Sequence, residues 1–105
     1  MKVFLRRKNN TINAEGIYDP KAKTMTVLAG SIVSKTITLT GTFRSGRTIE
    51  RYRKQYCRGN KVKEDVLFKS PSTAANFVTG NSTNGLIAWK DAKGNSLREL
   101  LKEDV

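Results

Sequence analysis

Apolar and polar positions alternate with a period of two through the first part of the chain and change to helical spacing near its middle. Val3 to Lys8 and Ile12 to Tyr18 read as strands. Asp19-Pro20-Lys21-Ala22-Lys23 has the composition of a turn, with Asp to start it and the fixed φ of Pro. Thr24 to Ala29 is rich in β-branched residues and stops at Gly30-Ser31, so these three runs predict an antiparallel meander. Lys35 to Phe43 alternates strictly, with Ile37, Leu39 and Phe43 on one face and threonines on the other. It reads as a further strand, with Gly41 as a bulge or bend.

From Ser45 to Arg58 the period becomes helical. Ile49, Tyr52 and Tyr56 recur at i, i+3 and i+7, and Gly59 is placed to end the helix. Arg47, Arg51, Lys54 and Arg58 fall at i, i+4, i+7 and i+11 and form one stripe of that helix. Asp65 to Lys69 reads as a short strand. Ser70-Pro71 then supplies a hydroxyl N-cap and a proline at the first helical position, for a helix running to Thr79 and stopped by Gly80. Leu86 to Lys90 reads as a strand and Asp91 to Asn95 as a turn, while Ser96-Leu97-Arg98-Glu99 is a capping box opening a last short helix. Strands and helices that do not alternate as βαβ units give an α+β fold: an N-terminal antiparallel β-meander packed by two short helices, then a C-terminal strand-turn-helix. Ile49, Tyr52, Phe77, Val78, Trp89 and Leu97 are expected to share a core with Leu5 and Val27.

Length bounds this picture at a single domain over residues 1–105: mostly β to 43, a basic helical segment over 44–63, and a third region over 64–105. Charge changes it more. The chain carries 20 Lys+Arg against 9 Asp+Glu, a net charge of +11. Residues 1–63 hold 15 of the cations and 3 of the acids, a net of +12; residues 64–105 hold 5 and 6, a net of −1. Arg44, Arg47, Arg51, Arg53, Lys54, Arg58, Lys61 and Lys63 crowd into one stretch whose single acid is Glu50. Such a field repels itself, and a polyanionic partner accounts for it, nucleic acid first among the candidates.

The absence of histidine removes the commonest general base, the commonest metal ligand and the His-activated nucleophiles. One cysteine, Cys57, excludes an internal disulfide or a Cys-cluster zinc site, and it reads as a half-buried helix residue rather than a thiol activated by its cationic neighbours. Asp91, Glu99, Glu103 and Asp104 have the spacing of a solvated turn and helix, not of a metal loop. No catalytic residue, cofactor or metal is expected. The opening segment has no apolar run of leader or membrane length, and the expectation is a soluble, cytoplasmic protein with no membrane partner.

The segment from Asp65 to Leu100 also carries a resemblance. Phe68-Lys69-Ser70-Pro71-Ser72, Ala74-Ala75, Gly80-Asn81-Ser82-Thr83-Asn84-Gly85, Trp89-Lys90, Gly94 and Leu97 resemble the domain of unknown function 4357 family and the related RAMA (restriction enzyme and adenine methylase associated) domain. Asn13 to Tyr18 and Val27 to Ser31 are similar to the opening hairpin of that family. At Leu86 the chain departs from the tryptophan that usually follows Asn-Gly, and Trp89 matches the second aromatic position. The resemblance implies a non-catalytic place in restriction, modification or other DNA-handling systems, beside nuclease or methyltransferase subunits that carry the chemistry.

The nucleic-acid-binding set expected is therefore Arg44, Arg47, Arg51, Lys54, Arg58 and Lys61 for phosphates, with Ser82 and Asn84 of the polar loop offered to base edges. Duplex DNA is the favoured ligand. Docking of an acidic protein partner on the same basic face is the alternative. Trp89 is expected in the core and the Ser70-Pro71 helix start to be a cap and nothing more.

Overall fold

The computed structural model describes residues 1–7, 9, 11–39 and 46–102. The three opening strands form as the alternation requires. β1 (Lys2–Arg7) pairs antiparallel with β2 (Ile12–Asp19), and β2 with β3 (Thr24–Val27). Val3, Leu5, Ile12, Ala14, Gly16, Tyr18, Met25 and Val27 point to one face and are buried, while the residues alternating with them in the strands are exposed or half-buried. Beyond the helix α1 (Gly46–Tyr56) and a hairpin of β4 (Cys57–Arg58) with β5 (Lys61–Val62), β6 (Val66–Phe68) completes a four-stranded sheet of order β1-β2-β3-β6. The fold is α+β.

The helix α2 (Pro71–Thr79) covers the buried face of the sheet with Ala74, Ala75, Phe77 and Val78. Ser70 caps it, its Oγ accepting from the Thr73 amide, and Gly80 closes it in the left-handed conformation. Tyr52 of α1 packs against Phe68 and Phe77, with ring centroids at 5.2 and 6.4 Å. Trp89 is fully buried and donates its indole N–H to the Pro71 carbonyl at 3.0 Å. The capping box at Ser96 and Glu99 opens α4 (Leu97–Leu100), which places Leu97 in the core.

Three expectations fail for physical reasons. Residues 35–39 of the expected Lys35–Phe43 strand are irregular, because the chain is pinned on either side of Lys35 to the end of α2: the Ser34 amide donates to the Val78 carbonyl and the Thr38 amide to the Gly80 carbonyl, both at 2.8 Å. The remainder of that run, with Gly41 and Phe43, lies outside the described residues. Leu86 to Lys90 is not a strand either. Asn84 acts as an N-cap, its Oδ1 accepting from the Leu86 amide, and starts one helical turn, α3 (Gly85–Ala88). Gly85 is required there by close approach rather than by positive φ, since a Cβ would overlap the Pro71 carbonyl and the Ser72 amide nitrogen. Finally, the basic helix stops at Tyr56, short of Arg58. Cys57 turns into the core as a strand residue opposite Val62, and Gly59, at φ 60°, makes the hairpin turn instead of ending the helix.

Among the described residues no helix is long and apolar enough to cross a membrane.

Candidate nucleic-acid interface

On α1 the two sides separate as the spacing predicts. Ile49 is buried, Tyr52 and Tyr56 are half-buried and stacked at 5.9 Å, and Arg47, Arg51 and Lys54 are exposed on the opposite side. Glu50 makes no ion pair with any of them. Among the described residues the only ion pair is Lys2 with Glu15, at 3.6 Å and half-exposed. The stripe is thus three cations on one helix face that no described acid neutralises.

Arg53, counted from sequence as part of the cationic stretch, is withdrawn from the surface. Only 9% of it is exposed. Its Nε donates to the Phe77 carbonyl at 2.7 Å, Nη1 to the Ser34 carbonyl at 2.6 Å, and Nη2 to Ser34 Oγ at 2.8 Å and to the Val78 carbonyl at 3.3 Å. The guanidinium carbon also lies 5.6 Å from the centre of the Phe77 ring. Phe77 and Val78 belong to the last turn of α2, whose carbonyls have no partner within the helix and carry its negative dipole end. Burial pushes the Arg53 pKa down to about 10, leaving it a cation at neutral pH. This arginine is a helix cap and core element, not a phosphate ligand.

Arg58 and Lys61 are exposed, but on the hairpin. They are cross-strand partners in β4 and β5, and the hairpin joins the sheet through single bridges, Lys61 with Ile32 and Ile32 with Asn13. Asn13 in turn faces Arg6 across β1 and β2, and Arg6 Nε donates to Asn13 Oδ1 at 3.2 Å. Directly opposed residues point to the same face. Arg6, Asn13, Ile32, Lys61 and Arg58 therefore form one row across the outer face of the sheet, which the neighbouring buried residues Leu5, Ile12, Val33, Val62 and Cys57 confirm by pointing inward. The expected phosphate set is split in two: the α1 stripe, and a sheet row to which the sequence reading contributed Arg58 and Lys61 but not Arg6. Period-two alternation in Lys2-Val3-Phe4-Leu5-Arg6 was the signal that could have found it. Arg44 lies outside the described residues.

Ser82 and Asn84 are both exposed in the loop between α2 and α3. That loop holds itself together: Thr79 Oγ1 pairs with Thr83 Oγ1 at 2.7 Å, the Thr83 amide donates to Asn76 Oδ1 at 2.8 Å, and Thr38 Oγ1 bonds Asn81 Oδ1. Asn84 spends its carbonyl oxygen on the α3 cap, leaving its amide nitrogen outward. Ser72 at the start of α2 accepts from the Gly85 amide at 3.0 Å. Cys57 is buried, and burial raises its thiol pKa against the opposing pull of Arg53 and Lys63. Asp91 accepts from the Lys93 and Asn95 amides at 3.0 and 2.9 Å, which holds its carboxyl below the usual range.

The family model described as a domain of unknown function, DUF4357, matches residues 4–101, taking in the sheet, both basic surfaces and the α2–α3 loop. The chain belongs to that family. DUF4357 thus covers the motif residues of the C-terminal half and the opening hairpin alike. No curated protein and no solved structure matches the chain.

Proposed function

We propose that this chain is a non-catalytic nucleic-acid-binding module, with duplex DNA as its favoured ligand, serving a restriction, modification or other DNA-handling system in the cytoplasm. The observation that carries the reading is the α1 stripe. Arg47, Arg51 and Lys54 stand exposed on one helix face with no acidic partner among the described residues, in a chain of net charge +11. Cations so arranged raise one another's electrostatic energy until a polyanion neutralises them. The non-catalytic part rests on the absence of histidine from the sequence. The place in restriction and modification, with nuclease or methyltransferase subunits as partners, rests on the likeness to the RAMA domain.

Fluorescence anisotropy on random-sequence duplex DNA across a salt series tests this. Three phosphate contacts give a log K against log salt slope of about −3. Charge reversal at Arg47 and Arg51 together should weaken binding to every sequence alike, because phosphate contacts position without reading bases. Ser82→Ala should alter some sequences more than others if the loop reaches base edges. A folded double reversal that binds duplex as well as the parent would overturn the reading, and an acidic protein partner would then become the better explanation of the charge.

A further inference from the structure

We infer that the outer face of the sheet is a second nucleic-acid surface, distinct from the α1 stripe, and that its ligand is a single strand laid across it. The inference rests on the nucleic-acid reading above and narrows it.

The row Arg6, Asn13, Ile32, Lys61 and Arg58 crosses five chain segments that lie side by side. At the usual spacing of neighbouring strands its ends are about 19 Å apart. Three of its five members are cationic. Glu15, opposite Phe4 on the same face, pairs with Lys2 at 3.6 Å, so those two cancel and the row keeps its three charges. The face is therefore complementary to a phosphate backbone running across the strands.

Its other residues suit bases rather than a duplex exterior. A second row runs Lys2, Ile17, Thr26, Leu67, and in it Ile17 is 39% and Leu67 63% exposed. Phe4 lies between the rows on β1, with the Arg6 guanidinium 4.3 Å from its ring centre. A duplex presents phosphates and recessed base edges, so exposed Ile and Leu on a sheet face gain nothing from it. An unpaired strand offers base faces, which apolar and guanidinium surfaces cover without regard to sequence. The Arg6 end of the row opens into a cleft of about 300 Å³ between β1 and the α3–α4 connection, lined by Phe4, Arg6, Arg7, Ile87 and Lys90. Asp91 stands at its rim as an anion held by the amides of its own turn, one acid against Arg6, Arg7 and Lys90. The cleft gives one base an apolar wall and its phosphate three cations.

Fluorescein-labelled oligo-dT of about 20 nucleotides, where each base can stack but none can pair, is the probe. The parent protein, Arg58→Glu with Lys61→Glu, and Arg47→Glu with Arg51→Glu are each titrated with it and with a duplex of the same length. All four positions are exposed, and circular dichroism checks that the fold is kept. The hairpin double variant is expected to lose at least about tenfold on oligo-dT, while the helix double variant loses its affinity for the duplex and keeps that for oligo-dT. Oligo-dT binding that is absent while duplex binding stands, or that falls with the helix variant and not the hairpin variant, would overturn the sheet surface and leave the duplex reading intact. Failure to bind either probe would overturn both. Ile87→Glu at the cleft mouth is expected to weaken oligo-dT several-fold, roughly what one lost base contact is worth; unchanged affinity would remove the cleft from the path.

Discussion

Arg53 shows how much one residue's meaning depends on where its neighbours fold. By type and position it belongs to a run of cations; by contact it closes the C-terminus of another helix with two hydrogen bonds and ties Ser34 to it with two more. Among the described residues no carboxylate balances it. The partial charge of the α2 carbonyls does so, in a setting too dry for water to compete. Removing the side chain would leave the Phe77 carbonyl and the Ser34 pair without that donor, so Arg53→Ala should destabilise the protein by about 2–4 kcal/mol in urea unfolding. Arg53→Lys should recover little of this, because a single ammonium cannot span the positions the guanidinium fork reaches. If both variants unfold at the parent's midpoint, the buried guanidinium is not a structural cap.

At the scale of elements, what local chemistry specified was legible. The meander, the Ser70-Pro71 helix start and the Ser96 capping box all follow from residues close together in sequence, and the size of the sole tryptophan is enough to place Trp89 in the core. The misreadings occur where a distant element takes over the backbone. Residues 35–39 alternate as a strand does, yet the amides of Ser34 and Thr38 tie that stretch to the end of α2. Asn84-Gly85 resembles a hairpin turn, yet Asn84 caps α3 and Gly85 lies against the first turn of α2. The basic stripe was read correctly for Arg47, Arg51 and Lys54, and overran at Arg58 because the burial of Cys57 opposite Val62 draws the chain out of the helix. The Gly85 contact is itself testable. Alanine there would force apart two backbones in van der Waals contact, at a cost of about 2–3 kcal/mol or more. Gly94→Ala, where no atom stands near the new methyl but φ is 89°, separates the two effects, since its cost is conformational alone. Thermal melts of the two variants should rank Gly85→Ala the less stable.

For the whole molecule, the single ion pair among the described residues has an energetic counterpart. A fold whose cations face one another without acids is under electrostatic pressure, which salt relieves by screening. Raising sodium chloride from about 0.05 M to 0.5 M should therefore raise Tm by a few degrees, while the same change weakens phosphate binding. A Tm that falls across that range would mean that attractive pairs outweigh the repulsion. The Arg53 cap has a consequence on this scale too. Helix α2 is finished by a side chain from α1 and by Ser34, so neither helix can open without stripping the other of partners. Amide hydrogens of the two should exchange with deuterium as one cooperative unit, although the chain between them passes through a hairpin and a sheet strand.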